Sequence, residues 1–548
     1  MTASHDFGMM FKFSGAVLRT IAFIAIALVA PNCGAAEKPN ILWITCEDMS
    51  PDLGCYGDTA AHTPNLDLFA SQAMRFTNTF AAAPVCAPSR SSLITGMYPT
   101  TIGTHHMRSK AVPPAYVRCF TEYLRAAGYY CTNNSKTDYN FDSPVTAWDE
   151  NGRSAHWKNR PAGTPFFSVF NLISTHESKF HQSKEEIEKL LLDVPAGERH
   201  STAVVPLPPY YPDTPIVRED MARYYDLITA MDKQAGALLR ELEDEQLTTS
   251  TIVFFFSDHG RGLPRGKRWV YDSGIRVPLI IRGAGVTSPG TICSDLVSFV
   301  DFAPTVLRLA GLKVPEKMQG RPILGDSHTP HRYIFAARDR MDETYDVIRC
   351  VRDQRFKYIR NFEPEKPYAQ TILYGEKTPT MQELRRLHTE GKLNPVQELF
   401  FRPGKPIEEL YDCLQDPHET NDLTSSAAHR QTLLQMRAEL ETWRTKTGDL
   451  GLIPEAQLQE QMRPGGKWSQ AASPVITVNS DGQVVLQSET DGASIAYRKE
   501  TKQAKQPWVL YSGPVAVDQP TTITAKACRL GWNDSAEVVQ FATPGANR

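Results

Sequence analysis

Cys86 is the residue of this chain whose surroundings best suit reactivity. It lies in the stretch Ala83-Pro84-Val85-Cys86-Ala87-Pro88-Ser89-Arg90-Ser91-Ser92-Leu93-Ile94-Thr95. Pro84 and Pro88 bracket it with rigid backbone, because proline fixes its own φ and restricts the residue before it. Cys86 can therefore stand at a helix entrance. Ser89, Ser91 and Ser92 are candidate caps for that helix, Leu93 and Ile94 would help bury it, and its positive end favours an anion. Arg90 keeps its charge and offers a planar fork of donors, suited to an ionised oxygen. Two pairs of polar residues, the acidic Glu47-Asp48 and the mixed Asp258-His259, each follow a short apolar run.

Strands must carry these residues. Pro39 to Thr45, Pro165 to Phe170 and Thr251 to Phe256 are apolar runs rich in β-formers, consistent with buried strands. Acids just past the ends of parallel strands lie where open α/β sheets bind ligands. The spacing predicts a helix over Phe120 to Ala127, capped by Gly128 and followed by a strand through Cys131. It predicts a long amphipathic helix over Met221 to Glu243, and a further helix is expected over Asp295 to Leu309. The charged, then proline-rich stretch from Lys184 to Pro209 reads as a surface insertion.

Cys86-Ala87-Pro88-Ser89-Arg90 matches C-x-P-S-R, at which type I sulfatases have a cysteine converted to formylglycine. Further matches follow in family order: Leu53-Gly54-Cys55-Tyr56-Gly57, Thr63-Pro64-Asn65-Leu66-Asp67, Gly96-Met97-Tyr98-Pro99, Ser257-Asp258-His259-Gly260, Gly274-Ile275-Arg276-Val277-Pro278-Leu279 and Glu409-Leu410-Tyr411-Asp412. The chain resembles that family over roughly residues 39–423, and short stretches around His176 and Lys267 resemble its heparan N-sulfatase branch.

The resemblance implies an α/β class: an alkaline-phosphatase-like core with a mixed sheet between helices, then a smaller α+β subdomain. It implies a sulfuric ester hydrolase in which the aldehyde at position 86 is hydrated to a gem-diol. One hydroxyl attacks sulfur and the other later expels sulfate. Glu47, Asp48, Asp258, His259 and modified residue 86 would hold one divalent cation, Ca²⁺ first; oxygen ligands with one imidazole also accept Mg²⁺, and the nitrogen admits Mn²⁺. Arg90 would favour ionisation of the diol. Lys136, His176 and Lys267 would contact the sulfate, with Arg265 or Arg268 as substitutes for Lys267.

Two departures stand out. Glu47 replaces the usual first aspartate. In Ser135-Lys136-Thr137-Asp138 an aspartate stands where the family's G-K-W-H has histidine, leaving Asp138, His105 and His106 as candidates to serve sulfate release or to contact the sugar. Arg338 and Arg340 would reach an anionic sugar, or pair with Asp339, Asp342 and Glu343. The implied partners are a sulfated carbohydrate and a formylglycine-generating maturation enzyme. The rivals are a phosphate or phosphonate monoester hydrolase of the same superfamily and a sulfoglycan-binding protein without turnover.

Composition sets bounds. A chain of 548 residues with 41% hydrophobic and 22% charged content is an ordinary globular protein of several units. A net charge of -3 argues against nucleic acid as the main partner. Lys12 and Arg19 precede the apolar run Ile21 to Ala30, with Gly34-Ala35-Ala36 behind it, so 1–36 reads as an export signal rather than a stable membrane span. The expected destination is secreted or periplasmic. Ten cysteines do not form a dense disulfide framework, though one or two bridges are allowed. The expected organisation is a catalytic α/β domain over 37–335, a subdomain over 336–458, a linker over 459–473 and a small β-sandwich over 474–548. That last module resembles a chitobiase C-terminal type.

Overall fold

The computed structural model describes residues 38–283, 285–325, 328–500 and 506–544. The expected export signal, 1–36, lies outside the described residues. No described helix is long and apolar enough to cross a membrane.

Eight strands form the central sheet: β1 (Asn40–Cys46), β2 (Met74–Phe80), β3 (Tyr130–Asn134), β4 (Glu150–Asn151), β5 (Phe166–Leu172), β6 (Thr251–Ser257), β7 (Arg276–Arg282) and β8 (Ile292–Ser298). Their order is β4-β3-β5-β1-β6-β7-β2-β8, and only β7 runs against its neighbours. The apolar runs predicted as strands are buried on both faces. On β1, Ile41 and Trp43 join one core while Leu42, Ile44 and Cys46 join the other. On β6, Ile252, Phe254 and Phe256 alternate in the same way with Val253 and Phe255. That is why these strands read as continuous apolar stretches rather than alternating ones. Helices Cys86–Thr95, Phe120–Ala126 and Phe302–Leu309 cover the first face, and Pro64–Ser71 and Pro215–Asp244 the second. Trp43 sits at the centre of the first, with Phe120, Phe167, Phe256 and Phe302 around its ring.

A second sheet of β9 (Ile334–Arg338), β10 (Ile348–Arg352), β11 (Phe356–Asn361) and β12 (Glu408–Asp412) is antiparallel throughout. Helix Arg430–Thr447 buries Leu433, Met436, Leu440 and Trp443 against it. Beyond lie a two-stranded sheet, β13 (Val475–Val478) and β14 (Val484–Gln487), and a four-stranded one of β15 (Ser494–Glu500), β16 (Val509–Leu510), β17 (Thr521–Cys528) and β18 (Val538–Ala542). They share one small core that includes Val484, Leu486, Ile523 and Ala525.

Several sequence expectations need correction. The helix expected over Asp295 to Leu309 begins only at Phe302, because residues through Ser298 pair as β8 with β2 and Asp301 then accepts the Ser298 amide to set a turn. The helix expected from Met221 starts at Pro215, where Thr214 accepts the Val217 amide. The insertion after Lys184 contains a helix, Lys184–Leu190, with a capping box on Ser183 and Glu186, and its Ile187 packs with Leu227. The stretch expected as a linker begins inside helix Glu455–Met462. The domain boundary expected at 335/336 falls within β9. All nine described cysteines are free thiols.

Candidate active site

The carboxyl ends of β1, β5 and β6 lie side by side, with Cys46 opposite both Leu172 and Ser257. Glu47-Asp48, the loop through His176 and Asp258-His259 therefore emerge at one place. Cys86 is the first residue of its helix, and the residue before it, Val85, is extended and makes no side-chain cap. The leading amides of that helix are left for an anion. Gly96 closes the helix in a left-handed conformation.

Cys86 is buried, with Sγ 3.3 Å from His259 Nε2 and 4.0 Å from Asp48 Oδ1. His259 Nε2 lies 3.0 Å from Asp48 Oδ1 and 3.7 Å from Asp258 Oδ1. Ligand atoms of Asp48, Cys86, Asp258 and His259 all fall within 4.8 Å of one another, and those of Glu47, Asp48, Cys86 and His176 form an overlapping group. Two buried carboxylates and an imidazole converging with residue 86 suit a hard divalent cation. Glu47 lies toward Lys136 and His176, so it is the outer member of the set.

Cations surround this acidic centre. Lys267 Nζ lies 2.8 Å from Asp48 Oδ2 and 3.3 Å from Glu177 Oε2, and Lys136 Nζ lies 2.9 Å from Glu47 Oε2. Arg90 donates from Nε to Asp258 Oδ2 at 3.1 Å, and from its two terminal nitrogens to Asn171 Oδ1 at 2.6 Å and Glu47 Oε1 at 3.4 Å. Burial pushes the Cys86 thiol up, but Lys136 and Lys267 outweigh it and bring the group down to about 7. Burial also opposes charge on Asp48, yet Lys267 and His259 hold it well below the usual carboxylate range. The same field raises His259, despite burial, through Asp258 and Asp48. Where Cys86 Sγ stands, the oxygens of a hydrated aldehyde would meet the same groups.

The loop after β6 is built by close backbone approach. A Cβ on Gly274 would lie 2.1 Å from the Trp269 carbonyl oxygen and 2.3 Å from that of Gly266, so only glycine lets the turn carrying Lys267 fold back on itself. Of the three basic residues considered there, Lys267 alone points to Asp48. Arg265 donates to the carbonyls of His418 and Glu419 and lies over the rings of Tyr210 and Tyr271. Arg268 grips Glu177 with two bonds of 2.7 and 2.9 Å.

His176 Nε2 is 3.6 Å from Glu47 Oε2, while Nδ1 faces the Ser178 hydroxyl and amide. Burial works against its charge, but Asp48 raises it. Asp138 lies 3.9 Å from Lys136 Nζ, at the edge of the same site.

Four expected substrate contacts sit elsewhere. His105 and His106 are buried together, ring centroids 4.3 Å apart, and group with Asp339 instead. Arg338 lies fully buried over the Trp269 ring at 3.7 Å and donates to Gln370. Arg340 is occupied by both oxygens of Glu455. Polar and aromatic partners away from the cation ligands hold these side chains: Trp269 and Gln370 for Arg338, Glu455 for Arg340 and Asp339 for the histidines. Sequence reasoning missed Glu177 and Asn171, which hold Lys267, Arg268 and Arg90 in place; the acid next to His176 was the available signal.

Residues 39–312 match the sulfatase family, and 265–402 match the family described as N-sulphoglucosamine sulphohydrolase, C-terminal. A protein of Formosa agariphila named ulvan-active sulfatase is 42% identical, over 92% of this chain and 92% of its own. The chain belongs to the sulfatase family. The human N-sulphoglucosamine sulphohydrolase is 26% identical, over 81% of this chain and 97% of its own length. A solved complex with the substrate D-glucosamine-2-N,6-O-disulfate shares the fold at 18% identity and a TM-score of 0.55, covering 76% of this chain and 99% of that one. This sulfatase therefore has the mixed α/β fold and the sulfuric ester hydrolase activity that the resemblance implied.

Proposed function

We propose that this enzyme removes ester sulfate from an ulvan-like sulfated polysaccharide or its oligosaccharides. One observation carries the reading: residue 86 opens an uncapped helix between two ammonium groups and a buried set of cation ligands. The 42% identity to an ulvan-active sulfatase supports the polysaccharide. Converted to formylglycine and held beside a divalent cation, for which Ca²⁺ suits the carboxylates, position 86 supplies an oxygen nucleophile for sulfur. The cation ligands are Asp48, Asp258 and His259 with residue 86, and Glu47 at the margin.

The chain's own groups do the remainder. The helix amides, Lys136 and Lys267 neutralise the sulfate oxygens, where charge grows in the transition state. His176, whose pKa burial lowers but Asp48 raises on balance, gives its Nε2 proton to the leaving oxygen. Arg90 stays charged beside the nucleophile because Asp258, Glu47 and Asn171 fix its fork. Asp138, beside Lys136, takes the place of the missing histidine as proton acceptor during sulfate release. The leader over 1–36 sends the enzyme to the periplasm or outside the cell, where such polysaccharides are met. A maturation enzyme must act on Cys86 beforehand.

The test starts with the tryptic peptide Phe76–Arg90 from protein made in its native cell. Its mass should be lower than the cysteine form by the thiol-to-aldehyde change. Matured protein with Ca²⁺ should release sulfate from ulvan oligosaccharides, and Cys86→Ala should not. N-sulfoglucosamine and a phosphate monoester serve as comparison substrates. An unmodified thiol in matured protein, or faster turnover of the phosphate ester, would overturn the reading.

A further inference from the structure

The ion pairs of the site do not stop at Lys267. Glu177, 3.3 Å from Lys267, also holds Arg268, and Arg268 NH2 lies 3.7 Å from Asp342 Oδ2. Asp342 Oδ1 in turn lies 3.5 Å from Arg108 NH1. The series runs outward: the side chains of Lys267 and Arg268 are 4% and 8% exposed, Asp342 is 19% and Arg108 is 70%. Apolar packing fixes this rim to the nucleophile. Met107 and Met341, the neighbours of Arg108 and Asp342, pack with Val85 and Ala87, which flank Cys86. The Met107 amide donates to the Arg340 carbonyl at 2.9 Å, and the Arg268 amide to the Pro84 carbonyl at 2.7 Å.

Arg108 is held there at a cost. Its φ of 54° and the φ of 50° at Lys110 are left-handed, a conformation that non-glycine residues seldom adopt and that needs surrounding structure to impose it. Both residues are exposed. The backbone thus presents two cations to solvent at the outer end of this series of ion pairs. A single contact at the outer limit of hydrogen bonding leaves most of the Arg108 fork free, and a guanidinium matches a planar carboxylate or a sulfate.

We propose that Arg108, with Lys110 near it, is a specificity-determining residue that takes a second anionic group of the sugar chain, away from the sulfate being lost. This rests on the sulfatase reading above. The anionic group is a uronate carboxylate or a second sulfate, and the substrates separate the two.

The experiment compares wild type, Arg108→Ala and Arg108→Lys on three disaccharides: monosulfated with a neutral neighbour, monosulfated with a uronate neighbour, and disulfated without a carboxylate. Wild type should favour one or both of the doubly anionic substrates. Arg108→Ala should cut that preference in kcat/KM about tenfold, through KM, and Arg108→Lys should restore part of it. A preference lost for the uronate alone assigns the carboxylate, and one lost for the disulfated sugar alone assigns the sulfate. An equal loss on all three substrates, or none, overturns the proposal. Binding to Cys86→Ala and to Cys86→Ala with Arg108→Ala, by calorimetry, reads the same preference without turnover. If residue 86 is converted and no substrate releases sulfate, the catalytic reading fails; the calorimetric comparison still decides the role of Arg108.

Discussion

Lys136 and Lys267 are assigned the same role by the resemblance, yet their burial makes their removal different events. The Lys267 side chain is 4% exposed and sits between Asp48 and Glu177; that of Lys136 is 24% exposed beside Glu47. Lys267→Ala removes the ammonium partner of buried Asp48 while Glu177 keeps Arg268; losing one partner of a buried pair costs about 3–5 kcal/mol. Lys136→Ala leaves Glu47 still paired with Arg90. Each substitution should lower kcat by about 10²–10³, the usual loss for one donor facing transition-state charge. Only Lys267→Ala should also lower the unfolding midpoint markedly, and a thermal melt beside steady-state kinetics checks both. A divalent cation that neutralises Asp48 and Asp258 should raise the melting temperature of wild type, and a chelator should reverse that together with activity. At this scale the sequence was legible wherever a residue type is demanded by chemistry, as at Cys86, Arg90, Asp48 and Asp258. It was silent on Glu177 and Asn171, whose roles come only from what the fold sets beside them, and it misdirected His105, His106, Arg338 and Arg340, because charge in a motif does not say which way a side chain faces.

At the scale of elements, the strands whose apolar runs are buried on both faces were legible, and β2 and β8 were not. β8 is an edge strand whose first residues are exposed, and its apolar spacing continues into the next helix, so only pairing with β2 distinguishes the two. The loop between the nucleophile helix and the second sheet carries a consequence of the same kind. Burial lowers His105 and His106 to about 4 each, and raises Asp339 to about 6. Arg349, Asp449, Arg340 and Glu455 face this group. Between roughly pH 4 and 6 the unfolded chain, with ordinary pKa values, binds two more protons at the histidines and one fewer at the aspartate. Stability from this cluster therefore falls as pH falls, by about 1.4 kcal/mol per pH unit for the net one proton. His105→Asn should flatten the acid side of a denaturant-midpoint profile between pH 4 and 6, and Asp339→Asn should steepen it. Equal slopes in all three proteins would show that the junction opens before it titrates.

For the whole molecule, the sequence suggested a polar linker before a small β-sandwich without saying how the sandwich sits, and the contacts argue for a docked one. Leu530 belongs to the same core as Trp43 and Phe256. Arg118 donates to Ser494 at 2.9 Å, Arg529 to the Pro113 carbonyl at 3.3 Å and Arg125 to the Trp508 carbonyl at 3.4 Å. The expected linker is pinned as well, since Arg463 donates to the Ser109 carbonyl and lies over the Trp468 ring. Polar, glycine-containing segments read as linkers whether they span solvent or lie on a surface, which is why the sequence did not separate the two cases. The seam is tight at Gly492, where φ is 73° and a Cβ would lie 2.1 Å from the Ala115 carbonyl oxygen. Residues 111–118 on the other side of that seam continue directly from Arg108. A tethered module would melt separately, giving two transitions, and truncation at Ser473 would leave the catalytic transition where it was. A docked one melts with the core in one transition. Truncation should then lower its midpoint, and Gly492→Ala, which must move backbone to fit, should lower the same single transition rather than split it. Calorimetry of the full chain, the truncated chain and Gly492→Ala distinguishes these outcomes, and two transitions in the full chain would reject docking. Because the seam holds the segment that presents Arg108, Gly492→Ala should also weaken selection for doubly anionic sugars while leaving residue 86 converted.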